Sequence, residues 1–107
     1  MLVFSCEPGQ GVLIDGRILL ELSMIEPDSV ERIRLGIEHP DDIPVERLDI
    51  QTRLSDDELA AMKANPAKTW TAAASDMLPL SDSVRVICIG DIHQSQMSSA
   101  TISIWES

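Results

Sequence analysis

The 107-residue sequence has few aromatic and few basic side chains, and each shortage narrows what the protein can be. Its three aromatic residues are Phe4, Trp70 and Trp105, so aliphatic side chains must supply the core. Eight lysines and arginines stand against 18 aspartates and glutamates, which gives a formal net charge of -10. Nucleic-acid affinity depends on basic groups that neutralise phosphates. A polyanion is therefore repelled unless these few basic residues converge on one face; solubility is the simplest explanation of the acidity.

Cysteine and histidine are also scarce. Cys6 and Cys88 are too few and too far apart for a metal motif or a disulfide framework, so both are predicted to be buried, unreactive thiols. Neither His39 nor His93 has a Cys or another His at ligand spacing. No metal or other cofactor is therefore expected. The sequence has no run of about 18 apolar residues, so no membrane role is expected and the protein is predicted to be cytoplasmic.

Hydrophobic patterning predicts five short strands in the first half of the chain. Asp15-Gly16 is a two-residue hairpin signal between the second and third strands, because both residues tolerate positive φ. Pro44 lacks an N–H group, which favours an edge position or the start of a strand for the fifth. The predicted strands cover residues 2–6, 11–14, 17–24, 30–37 and 43–47.

The second half is predicted to contain one helix and two strands. Ser55-Asp56-Asp57-Glu58 has the spacing of a capping box, which predicts a helix over 56–64 with Leu59 and Met62 as its apolar stripe. Residues 66–83 are predicted to be an irregular connection. Strands are predicted at 84–89 and 100–105, paired as a hairpin. Asp28-Ser29-Val30 and Asp82-Ser83-Val84 both open predicted strands, but this echo is too short to indicate a repeat.

Several segments of the first half follow the order of a known family. The chain opens with Met1-Leu2-Val3-Phe4-Ser5, continues with Pro8-Gly9-Gln10 and Ile14-Asp15-Gly16, and then has an Arg-apolar-Gly strand, a proline turn and an Arg-ended strand over residues 33–47. These segments resemble the carbon storage regulator (CsrA/RsmA) family of small RNA-binding translational regulators. The resemblance covers residues 1–54, about half of the chain.

The resemblance implies a fold and an assembly. The expected fold class is mainly β with one short α-helix: a CsrA-like interlaced five-stranded homodimer plus an extra C-terminal β-hairpin. The expected parts are a CsrA-like β domain at 1–54, its C-terminal helix at 55–65, and an extension at 66–107. In this family, RNA binds where the first strand of one subunit lies beside the fifth strand of the other. The target is single-stranded GGA in a loop of mRNA or small regulatory RNA.

Nine positions of this sequence match the family's RNA-binding residues. Arg47 is the principal candidate, because a guanidinium can fork onto phosphate or guanine; the alternative is a surface salt bridge with Asp49 or Glu46. The implied RNA-binding residues are Val3, Phe4, Ser5, His39, Pro40, Ile43, Val45, Glu46 and Arg47.

Departures from the family pattern lead to a second hypothesis. Cys6 and Glu7 stand where the family usually carries basic residues, and Glu46 stands where it carries histidine. The first hypothesis is therefore an RNA-binding regulator with weakened or altered specificity. The second is a CsrA-like paralogue that no longer binds RNA and acts as a protein-interaction module or as an antagonist that pairs with an ordinary relative. The extension could add strands, cover the RNA face or contact a protein partner.

No group of residues points to catalysis. Asp41-Asp42 and Asp56-Asp57 are paired carboxylates, but a turn and a helix cap already explain them. Neither pair has an adjacent histidine. The protein is therefore not expected to be an enzyme. Trp70 and Trp105 are expected to pack in a core or an interface, since no basic patch surrounds them.

Overall fold

Antiparallel strands dominate the structure, a computed structural model that describes residues 1–26, 31–49, 55–65, 67–73, 75–90 and 99–106. Within these residues the chain forms nine strands and one helix, which confirms the predicted mainly-β class with one short helix. In chain order they are β1 (Leu2–Cys6), β2 (Gln10–Ile14), β3 (Ile18–Glu26), β4 (Ile33–Glu38), β5 (Val45–Asp49), α1 (Asp56–Met62), β6 (Lys68–Ala73), β7 (Met77–Pro79), β8 (Arg85–Gly90) and β9 (Ser99–Glu106).

The strands form two sheets that face each other across one core. The four-stranded sheet has the order β1-β4-β8-β7, and the five-stranded sheet has the order β5-β2-β3-β9-β6. Alternate residues of each strand point inward, as the period of two requires. Ile37 and Val86 of the first sheet thus share a buried cluster with Leu22 and Ile102 of the second. The aliphatic core expected from the scarcity of aromatic residues is present.

The helix covers the outer face of the five-stranded sheet. Its N-cap is Ser55, whose Oγ accepts a hydrogen bond from the Glu58 backbone N–H at 3.2 Å, as the capping box predicted. Leu59 and Met62 pack on a second small cluster that includes Leu19 and Trp105. At the helix end, Lys63 Nζ lies 3.3 Å from Glu21 Oε1 and 4.5 Å from the centre of the Trp105 ring.

The turn predicted at Asp15-Gly16 is present, but it is one residue longer than expected. Asp15 and Gly16 have φ of 55° and 67°, left-handed values that both residues tolerate. Ile14 pairs with Ile18, so three residues rather than two separate the paired positions. Both cysteines are buried as predicted, with 0% and 1% of Cys6 and Cys88 exposed.

The extension differs from its prediction in two respects. Residues 66–83 were expected to be irregular, yet they contain β6 and β7. β6 is an edge strand that buries only one face, mainly through Trp70 and Ala72, so its sequence has little alternation of large apolar residues.

The predicted hairpin between 84–89 and 100–105 is wrong. β8 pairs with β4 and β7, whereas β9 pairs with β3 and β6, because the two strands line opposite walls of the core. The extension's hairpin is β7–β8.

Candidate functional site

The first and fifth strands lie at the edges of the two sheets. β1 pairs with β4 on one side, and β5 pairs with β2 on one side; in the described part of the chain no strand flanks their other sides. Edge strands present unpaired backbone N–H and C=O groups. Such groups can hydrogen-bond to an extended ligand.

The side chain of Arg47 on β5 reaches across to β1. The guanidinium carbon of Arg47 lies 5.6 Å from the centre of the Phe4 ring, a cation–π contact worth about 0.5–1 kcal/mol where it is exposed to solvent. Phe4 is 7% exposed and belongs to the main core, so its ring is a fixed platform. Arg47 is exposed, and its guanidinium is therefore held at the rim between β1 and β5. We call this region, residues 3–5 with 45–47 and the turn at 39–43, the β1–β5 surface.

The turn between β4 and β5 is held by its own hydrogen bonds. The carbonyl oxygen of Pro40 accepts bonds from His39 Nδ1–H at 2.9 Å and from the Ile43 N–H at 3.2 Å. The carbonyl of Pro44 accepts a bond from the Asp15 N–H at 2.8 Å, which fastens the turn to the β2–β3 hairpin. The half-buried His39 ring is thereby oriented before any ligand binds.

The nine residues predicted to bind RNA are brought to one edge of the molecule, but they face different ways. Val3 is 42% exposed on the outer face of β1. Ile43 and Val45 are half-buried and pack against the main core, so they position the strand and its turn. Glu46 points to the opposite face of β5 from Arg47, because neighbouring strand residues alternate. Its carboxylate is thus directed away from the Phe4 contact.

The family resemblance implies that the first strand of one chain lies beside the fifth strand of a second chain. In the structure both strands belong to one chain, and the contact between Arg47 and Phe4 is within that chain.

Arg34, to which the sequence assigned no role, is exposed and pairs with Ser5 across β4 and β1. The alternation of residues 33–37 would have placed Arg34 on this outer face.

The charge around the surface is uneven. Burial raises the pKa of the Cys6 thiol from 9.0 to about 12, while the Arg47 charge opposes this rise and Glu7 adds to it. Cys6 is therefore a neutral thiol behind the surface. Glu7 lies in a tight turn with Gln10, and Gln10 pairs with Asp49. Acidic residues thus collect at one end of the surface and His39 lies at the other.

The described part of the chain contains no group of three or more His, Cys, Asp or Glu residues that could hold a metal ion. Nor does any helix there have the length and apolar character needed to cross a membrane.

Comparison with known proteins places the first half of the chain in a family. The profile of the CsrA family, described as "Global regulator protein family", matches residues 1–56, which is more than half of the 107-residue chain. Searches of curated proteins and of solved structures gave no significant match. Members of the matched family are non-enzymatic, RNA-binding regulators that act after transcription as homodimers. The chain belongs to the CsrA family of global regulators.

Proposed function

We propose that the chain binds single-stranded RNA with a GGA-type motif at the β1–β5 surface and thereby regulates translation of the bound mRNA. The observation that carries this proposal is the meeting of two open strand edges, β1 and β5, with the guanidinium of Arg47 held over the Phe4 ring between them. Both strands lie within the residues that match the family.

The chemistry of the surface suits a single strand with unstacked bases. Loop nucleotides expose their edges, so backbone N–H and C=O groups of an edge strand can read them. The fork of a guanidinium matches two acceptors of guanine or two oxygens of a phosphate. His39 adds a ring that is already oriented by its hydrogen bond to Pro40. Binding through strand backbone does not depend on a basic surface.

The acidic composition implies weaker or altered RNA binding. With a net charge of -10, the chain repels phosphate at long range. The carboxylate of Glu7 is exposed beside the end of β1. In water, one like-charge contact at about 4 Å costs roughly 1 kcal/mol before screening by salt. The separation of Glu46 from Arg47 on opposite faces of β5 limits this cost at the centre of the surface.

Fluorescence anisotropy with a labelled RNA hairpin tests the proposal. A hairpin with GGA in its loop is titrated at low and high salt, beside a hairpin in which CCU replaces GGA. We expect micromolar or tighter binding to the GGA hairpin alone, and a loss of at least about tenfold for Arg47→Ala. Lys68→Ala is the matched control, since it removes the same charge from β6, at the opposite edge of the five-stranded sheet. Absence of binding at both salt concentrations would exclude a GGA regulator.

A second candidate function is a protein-interaction module that antagonises ordinary relatives. The outer face of the four-stranded sheet favours it, because Met1, Val3 and Met77 are 70%, 42% and 49% exposed there. A GGA hairpin bound to an ordinary family member provides the test. If the second candidate is correct, adding this chain lowers RNA binding by the relative while this chain alone binds none. Unchanged binding by the relative would contradict it.

Assembly and location remain predictions drawn from the family. The homodimer expected from the sequence stays a prediction, since the structure describes one chain. A location in the cytoplasm, where mRNA is translated, follows from the proposed function. A protein partner that contacts residues 66–107 stays a prediction as well.

A further inference from the structure

Two turns of this chain have the same geometry although their sequences differ. In the first, the Gln10 N–H donates to Glu7 O at 3.0 Å and the Glu7 N–H donates to Gln10 Oε1 at 3.1 Å. In the second, the Asp76 N–H donates to Ala73 O at 3.0 Å and the Ala73 N–H donates to Asp76 Oδ2 at 2.8 Å. Each residue of the second turn follows its counterpart by 66 positions.

The third residue of each turn extends this correspondence. Gly9 has φ of 90° and Ser75 has φ of 74°, both in the left-handed region that favours glycine. The Gly9 N–H donates to Leu22 O on β3, and the Ser75 N–H donates to Cys88 O on β8. Cys88 follows Leu22 by the same 66 positions, so each turn is fastened to the matching point of a distant strand.

Strand pairing repeats with the same offset. In the β2–β3 hairpin, Val12 pairs with Leu20; in the β7–β8 hairpin, Leu78 pairs with Val86. At the sheet edges, β1 pairs with β4 through Phe4 and Leu35, and β6 pairs with β9 through Trp70 and Ile102. The offset is 66 positions for the first three strands and 67 for β4 and β9.

A shift in strand register also occurs at corresponding places in the two copies. The register of β3 with β9 shifts between Leu22 and Met24. The register of β4 with β8 shifts where the partners on β8 are Cys88 and Gly90, which follow Leu22 and Met24 by 66 positions. A bulge is a local feature of a particular pairing. Its recurrence at the corresponding place, together with the turns and the registers, points to one unit present twice.

We propose that residues 68–105 are a second, diverged copy of residues 2–38, and that one chain folds as a self-contained two-copy unit with a single RNA-binding surface. The copies exchange strands: β3 of the first copy pairs with β9 of the second, and β8 of the second pairs with β4 of the first. Each sheet therefore contains strands from both copies. The number of RNA-binding surfaces rests on the function proposed above, whereas the two-copy fold does not.

In the described residues, the place beside the second copy that corresponds to β5 holds no strand. β7 is an edge strand there, with β8 on one side and no strand on its outer side. The vacant place is a groove lined by Lys68, Trp70, Leu78, Leu80 and Glu106, among others. In the first copy, β5 lies in this place, with Val45 paired to Ile14 and Arg47 over Phe4. The groove is thus a β1–β5 surface without its fifth strand and without its arginine.

A cross-link between the copies tests the strand exchange. Ser23 Oγ of β3 and Ser103 Oγ of β9 lie 3.0 Å apart at the surface, so cysteines at both positions can form a disulfide with little movement. In the S23C/S103C variant, mild oxidation is expected to give an intrachain disulfide, seen as a faster monomer band on a non-reducing gel. Each single variant is the control and should give no such band. A covalent dimer as the main product of the double variant would overturn the proposal.

The mass of the unmodified chain in solution tests the same proposal and does not depend on whether the double variant folds. Light scattering should give the mass of one chain, 11.8 kDa, across the micromolar range. A mass of two chains over that range would contradict a self-contained unit and would favour the family's homodimer.

The number of RNA molecules bound to one chain tests whether the chain has a single RNA-binding surface. With the GGA hairpin in excess, native mass spectrometry should show one RNA on one chain, and an RNA with two GGA loops should bind two chains without a gain in affinity. Two RNA molecules on one chain would overturn the single surface. If the chain binds no RNA but has the mass of a monomer and the intrachain disulfide, the proposed function fails and the two-copy fold stands.

Discussion

Cys6 shows at the scale of one residue how burial sets the chemistry of a side chain. The thiol lies in the core with Phe4 and is 0% exposed. Burial raises its pKa from 9.0 to about 12, so the folded protein keeps it neutral up to high pH.

This raised pKa predicts a dependence of stability on pH. The folded thiol keeps its proton between about pH 9 and 12, whereas the unfolded thiol loses it, so the stabilisation is complete below pH 9 and is lost as pH rises toward 12. Between pH 8 and 11, the free energy of unfolding of the wild type should fall by roughly 2–3 kcal/mol more than that of Cys6→Ala. Urea titrations at several pH values measure this difference, and equal slopes for the two proteins would contradict it.

Ser75 carries backbone strain that its counterpart Gly9 avoids. Its φ of 74° costs an L-residue about 1 kcal/mol, while glycine adopts it without steric penalty. Ser75→Gly should therefore stabilise the protein by up to about 1 kcal/mol, and Gly9→Ser should destabilise it by a similar amount. Thermal unfolding of the two variants compares the turns directly. Opposite signs are expected if the turns are equivalent, and equal signs would argue against this.

At the scale of elements, α1 depends on its cap. It has only seven residues, and none of them is buried. A helix this short is marginal without tertiary contacts. Leu59 and Met62 provide these contacts on the cluster around Leu19 and Trp105. The hydrogen bond from the Glu58 N–H to Ser55 Oγ then fixes where the helix begins.

Removal of the Ser55 cap should weaken the packing of α1 on the five-stranded sheet. Ser55→Ala is expected to cost about 1 kcal/mol of stability, because one N-terminal N–H of α1 loses its acceptor. Fraying of α1 should also make Trp105, which packs under it, more accessible to a fluorescence quencher. Ser83→Ala, at an exposed position between β7 and β8, is the control and should change stability by less than about 0.5 kcal/mol. An effect of Ser55→Ala no larger than this control would show that the cap contributes little.

At the scale of the whole molecule, charge sets the expected response of RNA binding to salt. A single strand releases counterions in proportion to the phosphates that are neutralised, with a slope of about -0.7 for each contact. The β1–β5 surface offers Arg47 as its main cation, with Arg34 nearby on the outer face. Long-range repulsion from the net charge of -10 weakens as salt rises, which offsets part of the loss.

The logarithm of the association constant should therefore fall only shallowly with the logarithm of salt concentration, with a slope of about -1. Anisotropy titrations of the GGA hairpin over a range of salt concentrations measure this slope. A slope of about -5 would mean that many more basic groups contact phosphate than the β1–β5 surface provides.

The sequence by itself determined the features that depend on neighbouring residues. The strands of the first half, the Asp15-Gly16 turn, the Ser55 cap and the buried cysteines all follow from short patterns of hydrophobicity and turn chemistry. The same patterns identified the family over the residues that its profile matches. The family resemblance named Phe4 and Arg47, although neither it nor the alternation could show that the two side chains meet within one chain.

Only the tertiary structure decided which strands pair, because pairing joins residues that are distant in sequence. β6 and β7 escaped prediction since their alternation is weak, and β8 and β9 were paired with each other although they lie in different sheets. At the positions that the structure describes in both copies, one residue is identical, Ile37 and its counterpart Ile104. Many apolar and small residues fill a strand position equally well, so the backbone hydrogen bonds, registers and bulge keep a correspondence that the side chains have lost.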